Sequence, residues 1–281
     1  MIGILLCTYN GEKYLSQQID SLLNQTFQDF IIYIHDDGST DQTNKIIQQY
    51  KNAYTNKIII LEDNKKGRGA KDSFMWLLNE VSADYYMFCD QDDIWLKTKI
   101  EDTYRRMQEV EKQYKNKPIV IHTDLTLVDK NLNTIYPSFW KYANMHVDIS
   151  KKFKYLCLGN IVTGCTMLFN NMAKSISLNQ TNKYVPLHDY WIALVTAQNG
   201  IVENLKKQTI LYRQHEYNVI GCGELAQKKN MLPTFNWNMW KNWYDTNKDF
   251  LTSIQNKSAK LFILYRILFL IRIRFRNLFN N

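Results

Sequence analysis

The sequence predicts an α/β protein: a mainly parallel sheet with helices packed on both faces. Three observations carry this reading. First, five short β-branched and aromatic runs alternate with helix-length segments over the first 122 residues, the pattern of successive strand–helix–strand units. Second, four of those runs end on polar clusters, Thr8-Tyr9-Asn10, Asp36-Asp37, Glu62-Asp63-Asn64 and Asp90-Gln91-Asp92-Asp93. In parallel sheets ligands bind at such strand ends. Third, 281 residues at 45% hydrophobic and 14% aromatic can bury one large core or two small ones, and exclude a disordered chain.

Met1 leads straight into an apolar run, Ile2 to Cys7, without a basic n-region or a small-residue cleavage site, so 2–8 reads as a first strand rather than a signal peptide. A helix over 14–24 puts Leu15, Ile19, Leu22 and Leu23 on one face. Residues 30–35 form the second strand, and Asp37-Gly38-Ser39-Thr40-Asp41 supplies a turn and an N-cap for a helix over 42–50. Strands at 57–61, 85–89 and 119–122 are separated by helices at 71–80 and 96–115. The pattern then loosens. Strand-like runs at 161–169 and 201–212 flank a helix over 189–198, and Trp237, Trp240 and Trp243 precede an apolar, basic end.

Composition removes several function classes. Five cysteines (Cys7, Cys89, Cys157, Cys165, Cys222) without a C-x-x-C argue against a disulfide framework or zinc ribbon and fit a reducing compartment. No G-x-G-x-x-G follows the first strand, and Gly67-Arg68-Gly69 lacks the rest, so a dinucleotide fingerprint and a P-loop are absent. No run of about 20 apolar residues occurs, so no spanning helix is expected, and the chain is expected on the cytoplasmic side. The net charge of +8 is uneven: residues 1–200 hold 22 basic and 22 acidic residues, residues 201–281 hold 13 and 5. No basic-aromatic stripe lies outside the tail, which disfavours nucleic acid as a partner.

The strongest single signal is Asp90-Gln91-Asp92-Asp93. Carboxylates crowded at a strand end repel, and a cation neutralises them. Mg²⁺ or Mn²⁺ on one or two carboxylates plus substrate phosphates is the matching chemistry. A solvated turn capping the next helix is the other reading. For Asp36-Asp37-Gly38-Ser39, contacts to a base or ribose stand beside an ordinary Asp cap.

Taken together the motifs resemble the family 2 glycosyltransferases of the GT-A fold, in particular bacterial rhamnosyltransferase-like members. The resemblance spans about residues 1–220 and rests on Cys7-Thr8-Tyr9-Asn10-Gly11-Glu12, Asp36-Asp37-Gly38-Ser39-Thr40-Asp41, Asp90-Gln91-Asp92-Asp93-Ile94-Trp95, Asn160-Ile161-Val162-Thr163-Gly164-Cys165-Thr166, His188-Asp189-Tyr190-Trp191 and Tyr212-Arg213-Gln214-His215. It departs at Cys7, where many relatives carry Pro or Thr.

The resemblance implies a Rossmann-like, mainly parallel sheet in a catalytic domain at 1–220, with a helical C-terminal extension at 221–281. It implies a nucleotide-sugar pocket lined by Thr8, Tyr9, Glu12, Asp37, Asn64, Gly67, Arg68, Asp90, Gln91, Gly164, His188, Trp191 and Arg213. Asp92, Asp90 and His215 would hold Mn²⁺ or Mg²⁺ against the donor's pyrophosphate. Asp189 would be the general base of an inverting transfer, taking the proton of the acceptor hydroxyl. His188 either supports Asp189 or hydrogen-bonds in the core, and Trp191 either faces a sugar or packs. Asp124 either faces the donor sugar or makes a turn.

The same resemblance implies a nucleotide-diphosphate sugar donor, dTDP-rhamnose ahead of a UDP-sugar. The acceptor would be a lipid-linked or polysaccharide hydroxyl in bacterial surface-polymer synthesis. A nucleotidyltransferase and a non-catalytic sugar-nucleotide module stand as rivals from other classes. Residues 257–281 carry Lys257, Lys260, Arg266, Arg272, Arg274 and Arg276 and no acid, with Leu264, Ile267, Leu268, Ile271, Phe275 and Leu278 on the opposite arc. This is the pattern of a basic helix in an anionic membrane interface, or of a helix packed on the domain or in a homodimer. The expected location is peripheral, at the cytoplasmic face of the bacterial cell membrane.

Overall fold

The computed structural model describes residues 1–157, 159–179 and 187–215. The strands in chain order are β1 (Ile2–Thr8), β2 (Phe30–Asp36), β3 (Ile58–Ile60), β4 (Tyr85–Cys89), β5 (Ile94–Trp95), β6 (Ile119–Val128), β7 (Thr134–Tyr136), β8 (Met167–Asn170) and β9 (Ile201–Arg213). Among the described residues they make one sheet ordered β3-β2-β1-β4-β8-β6-β9-β5, with β7 beside β6. The helices are α1 (Leu15–Leu23), α2 (Thr43–Ala53), α3 (Ala70–Glu80), α4 (Lys99–Gln113), α5 (Phe139–Tyr142), α6 (Val147–Ser150), α7 (Phe153–Leu156), α8 (Asn171–Leu178) and α9 (His188–Asn199).

The first half keeps the expected winding. β1 pairs in parallel with β2 and β4, and β2 with β3. β1 is buried on both faces, which is why it reads as an unbroken apolar run. Its residues alternate between two cores. Leu5 joins Phe74, Leu77, Phe88 and α9 on one side. Ile2, Ile4 and Leu6 join Leu15, Ile19, Leu22 and Ile47 on the other. Each such aliphatic side chain contributes about 1.5–3 kcal/mol on burial.

The second half differs from the alternating expectation. β8 runs antiparallel between β4 and β6. A 3₁₀ turn, Gly164–Thr166, brings the chain in at the edge where the parallel strands end, so β8 can only run back across the sheet. Within 161–169, the strand-like run is Met167–Phe169 at the start of β8, preceded by the turn. β6 continues to Val128, so Asp124 lies inside the strand rather than after it. Its carboxylate accepts from Ser138 Oγ (2.6 Å), Trp140 N (3.1 Å) and Gln208 Nε2 (2.8 Å), tying α5 to the sheet. The 96–115 helix begins only at Lys99, because Ile94 and Trp95 pair with β9. α9 is buried from His188 through Thr196, enclosed by the first core and α8, with a run of apolar residues from Tyr190 to Val195.

The extension at 221–281, the Trp-rich segment, Cys222 and the basic tail lie outside the described residues. Among the described residues no helix is long and apolar enough to cross a membrane.

Candidate active site

Three parallel strands end side by side, and the loops leaving them meet in one cleft. β1 delivers Thr8 and Tyr9, β2 delivers Asp37, and β4 delivers Asp90, Gln91 and Asp92. The facing wall comes from the start of α3 (Gly69, Ala70, Ser73, Phe74), from Thr163 and Gly164, and from Leu187, His188 and Asp189 at the start of α9. The volume is ≈ 500 Å³, in the range of small-molecule sites.

The strand-end loops are cross-braced. Gln91 Oε1 accepts from Tyr9 N and its Nε2 donates to Tyr9 O, both at 2.9 Å, so one amide pairs with the backbone as a neighbouring strand would. Asp36 accepts from Thr8 Oγ1 (2.8 Å), Ser39 N (2.8 Å) and Asn44 Nδ2 (3.1 Å). Burial pushes its carboxyl up, but these hydrogen bonds win and hold it below the usual range. Asp37 accepts from Arg68 N and Gly69 N, both at 2.8 Å, and thereby holds the 67–69 loop against the cleft.

The acidic motif splits into two kinds of residue. Asp90 and Asp92 line the cleft, whereas Asp93 turns inward and is fully buried. Burial, then the like charges of Asp92 and Asp189, push Asp90 up to about 7. Asp93 accepts from Arg213 N at 3.2 Å, and burial with its acidic neighbours raises it well above the carboxylate range. Asp92 Oδ2 meets His215 Nε2 at 2.8 Å. Two carboxylates and an imidazole suit Mn²⁺, and Mg²⁺ completed by water. The repulsion that raises Asp90 is what a cation relieves. Asp90, Asp93 and the buried Cys165 thiol also lie within 4.8 Å of one another. Burial holds that thiol neutral, well above its ordinary value, so it does not suit a hard cation. Asp90, Asp92 and His215 do not meet within that distance as a set; the carboxylates open to an ion on the cleft are Asp90 and Asp92, with His215 paired to Asp92 off the lining.

Asp189 faces this cluster from the start of α9. It is 7% exposed, and its carboxylate accepts from Gly164 N (2.8 Å), Asn160 Nδ2 (3.2 Å) and Tyr190 N (2.5 Å). Burial pushes it up to about 7 against the lowering effect of those bonds. Beside it His188 stacks on Phe74 at 4.3 Å and meets Phe88 edge-on at 4.6 Å. Burial pushes the imidazole down to about 3, so it is a neutral, aromatic wall of the cleft.

The cleft thus gathers Thr8, Tyr9, Asp37, Gly67, Asp90, Gln91, Asp92, Gly164, His188 and Asp189. It does not gather the other expected lining residues. Glu12 accepts from Gln42 N at 2.8 Å and caps α2 instead. Asn64 is exposed on the 61–69 loop. Arg68 pairs with Asp63 and lies over the Trp76 ring at 5.6 Å, which turns its cation away from the cleft. Trp191 donates its indole N–H to Ser177 O at 3.0 Å and packs in the core. Arg213 is buried behind the acidic loop, with Nε on Asp92 O, Nη1 on Lys130 O and Nη2 on Gln17 Oε1 at 2.7–2.8 Å. It braces the loop rather than reaching for phosphate. Sequence reasoning missed Phe74 and Tyr212 on the lining and Asn160 against Asp189. Asn160 opens a recognised motif, but no pattern shows that its amide meets the α9 carboxylate.

A sheet of this topology, with paired carboxylates at the ends of the parallel strands and a further carboxylate opposite, is the arrangement that the resemblance to GT-A glycosyltransferases implies. Residues 3–169 match the family described as Glycosyl transferase family 2. A dTDP-rhamnosyl transferase, RfbG of Shigella flexneri, is 30% identical over 227 residues, 77% of this chain and 74% of that protein. The chain belongs to glycosyl transferase family 2 and is a glycosyltransferase. Among solved structures, S. aureus TarS 1-349 in complex with UDP-GlcNAc aligns at TM-score 0.60 over 92% of this chain and 67% of that chain, at 16% identity. The mannosyltransferase PcManGT from Pyrobaculum calidifontis, in complex with GDP-Man and Mn²⁺, aligns at TM-score 0.55 over 77% of this chain and 58% of that chain, at 12% identity.

Proposed function

We propose that this chain is an inverting, metal-dependent glycosyltransferase that moves a sugar from a nucleotide-diphosphate donor to an acceptor hydroxyl. The carrying observation is that a buried carboxylate, Asp189, shares one cleft with the Asp90–Asp92 pair. The strand-end wall of Thr8, Tyr9 and Asp37 takes the nucleoside, and the sugar lies between that wall and α9. Asp189 removes the proton as the acceptor oxygen attacks the anomeric carbon. The bond to the nucleoside diphosphate breaks on the opposite face, and the leaving group departs with the electron pair. Asp189, raised to about 7, sits where a base can accept and later release a proton near neutrality. Asp90 and Asp92, with His215 beside Asp92, would hold a divalent ion, which would supply charge stabilisation for the departing diphosphate. The stacked rings of His188 and Phe74 give the cleft an apolar wall beside Asp189.

The donor is dTDP-rhamnose, supported by the likeness to the Shigella rhamnosyl transferase, with a UDP-hexose as the alternative supported by the fold shared with TarS. The acceptor is a lipid-linked or polysaccharide hydroxyl of a bacterial surface polymer. The enzyme works at the cytoplasmic membrane face, supported by the basic 257–281 tail. A thermal-shift screen of dTDP-, UDP- and GDP-sugars with Mn²⁺ or Mg²⁺, followed by donor hydrolysis assays, tests the donor. Stabilisation and turnover with dTDP-rhamnose support it; response only to another nucleotide sugar overturns that choice. Full transfer by Asp189→Asn removes Asp189 as base.

A further inference from the structure

The segment entering β8 closes on Asp189 from two points. Gly164 N donates to Oδ2 at 2.8 Å, and the Asn160 amide donates to Oδ1 at 3.2 Å. Gly164 packs closely there: a Cβ would stand 3.0 Å from His188 Nε2, so that the ring would have to give by a few tenths of an ångström, and 3.4 Å from Asp189 Oδ2, an ordinary contact. The second is fixed in direction by chemistry. Asn160 Oδ1 accepts from Val162 N at 2.9 Å, and only the NH₂ end of an amide can donate to a carboxylate. One side chain thus shapes its own loop with its oxygen and grips Asp189 with its nitrogen. Oδ1 also accepts from Tyr190 N at 2.5 Å, the next residue of the same helix, so Asn160 is the one side chain among these three donors and ties Oδ1 to the loop entering β8.

We propose that Asn160 is a positioning residue for the transfer reaction: its amide joins Gly164 N and Tyr190 N in holding the Asp189 carboxylate and leaves the cleft-facing lone pairs for the acceptor hydroxyl. The inference rests on the reading of Asp189 as the base. Asn160 is not among the residues that line the cleft, and it acts through Asp189. Misplacement of a reacting group by about 1 Å can cost about 100-fold, so loss of the grip falls on turnover rather than on donor binding.

The two ends of the amide can be separated by substitution. Asn160→Asp keeps an oxygen for Val162 N but sets a second acceptor against Asp189. Asn160→Ser keeps a short-range acceptor for the loop and falls short of Asp189. Steady-state transfer, donor affinity by calorimetry and thermal melting are measured for both, with Asn160→Ala and Asp189→Asn alongside. The expected result is a kcat about 10- to 100-fold lower in the Asp and Ser variants, with donor KM, donor affinity and melting temperature close to those of the parent. A kcat within about twofold of the parent in the folded Asp or Ser variant overturns the positioning role and leaves Asn160 as a loop brace. Active Asp189→Asn overturns the base reading itself. Inactive Asp189→Asn beside active Asn160→Asp overturns only the positioning.

Discussion

Arg213 Nε donates a 2.8 Å hydrogen bond to the main-chain oxygen of Asp92, so a side chain from the end of β9 fixes a residue of the acidic motif from behind. Two residues later His215 meets the Asp92 carboxylate itself at 2.8 Å. One short stretch at the end of β9 therefore sets both the backbone and the side chain of Asp92.

Arg213→Lys removes the fork that reaches Lys130 O and Gln17 Oε1 while retaining a cation. Charge-assisted hydrogen bonds to buried groups are worth about 1.5–3 kcal/mol each, so a loss of roughly 3 kcal/mol of stability is expected in urea titration. Gln17→Ala, which removes one partner, costs about 1–2 kcal/mol. Weaker Mn²⁺ binding should accompany both losses.

Asp92→Ala is expected to abolish the metal-dependent part of nucleotide binding, and His215→Ala to weaken Mn²⁺ affinity by about 10- to 100-fold. Calorimetry of dTDP or UDP with and without Mn²⁺ separates the two. Unchanged metal dependence in Asp92→Ala would remove it from the ligand set.

The acidic limb of the kcat profile should fall through about pH 7 as the pH drops, because a protonated Asp189 cannot take the acceptor's proton and Asp90, also raised to about 7, takes a proton over the same range. Folding stability carries the opposite sign. The folded-state value lies above the ordinary carboxylate value of 3.8, so the folded state binds the proton more tightly. This contribution is fully present below about pH 4 and is lost as the pH rises through about 7. Asp189→Asn should therefore gain on the parent between pH 4 and 8, by about 2–4 kcal/mol in denaturant titrations at the two ends.

Liposomes containing anionic lipid should retain the full chain and release a chain ending at Asn256, with retention falling as salt is raised. Equal binding of both would assign the basic tail to packing or to a homodimer.

Much of the site was legible because strand ends are marked in sequence. An apolar run that stops on Thr8, Asp37 or Asp90 must present that residue at the sheet edge, whatever the partners turn out to be. The expected residues that lie off the cleft share a different property. Arg68, Arg213, Glu12 and Trp191 stand beside motif residues in sequence, yet their long or bulky side chains travel several ångströms to partners brought by other segments: Asp63 and Trp76, Gln17 and Lys130, Gln42 N, and Ser177 O. Which partner captures a long side chain depends on the neighbouring elements, which local pattern does not encode.

By itself the sequence determined the α/β class, the winding of the first five elements, the residues at the strand ends and the family, because each arises from short-range periodicity or contiguous motifs. Only the tertiary structure decided that β8 runs against its neighbours, that Asp93 faces the core while Asp90 and Asp92 face the cleft, and that Asn160 grips Asp189 across 29 residues of chain. These depend on where distant segments meet when two cores close on one sheet, and burial then sets the protonation of Asp90 and Asp189.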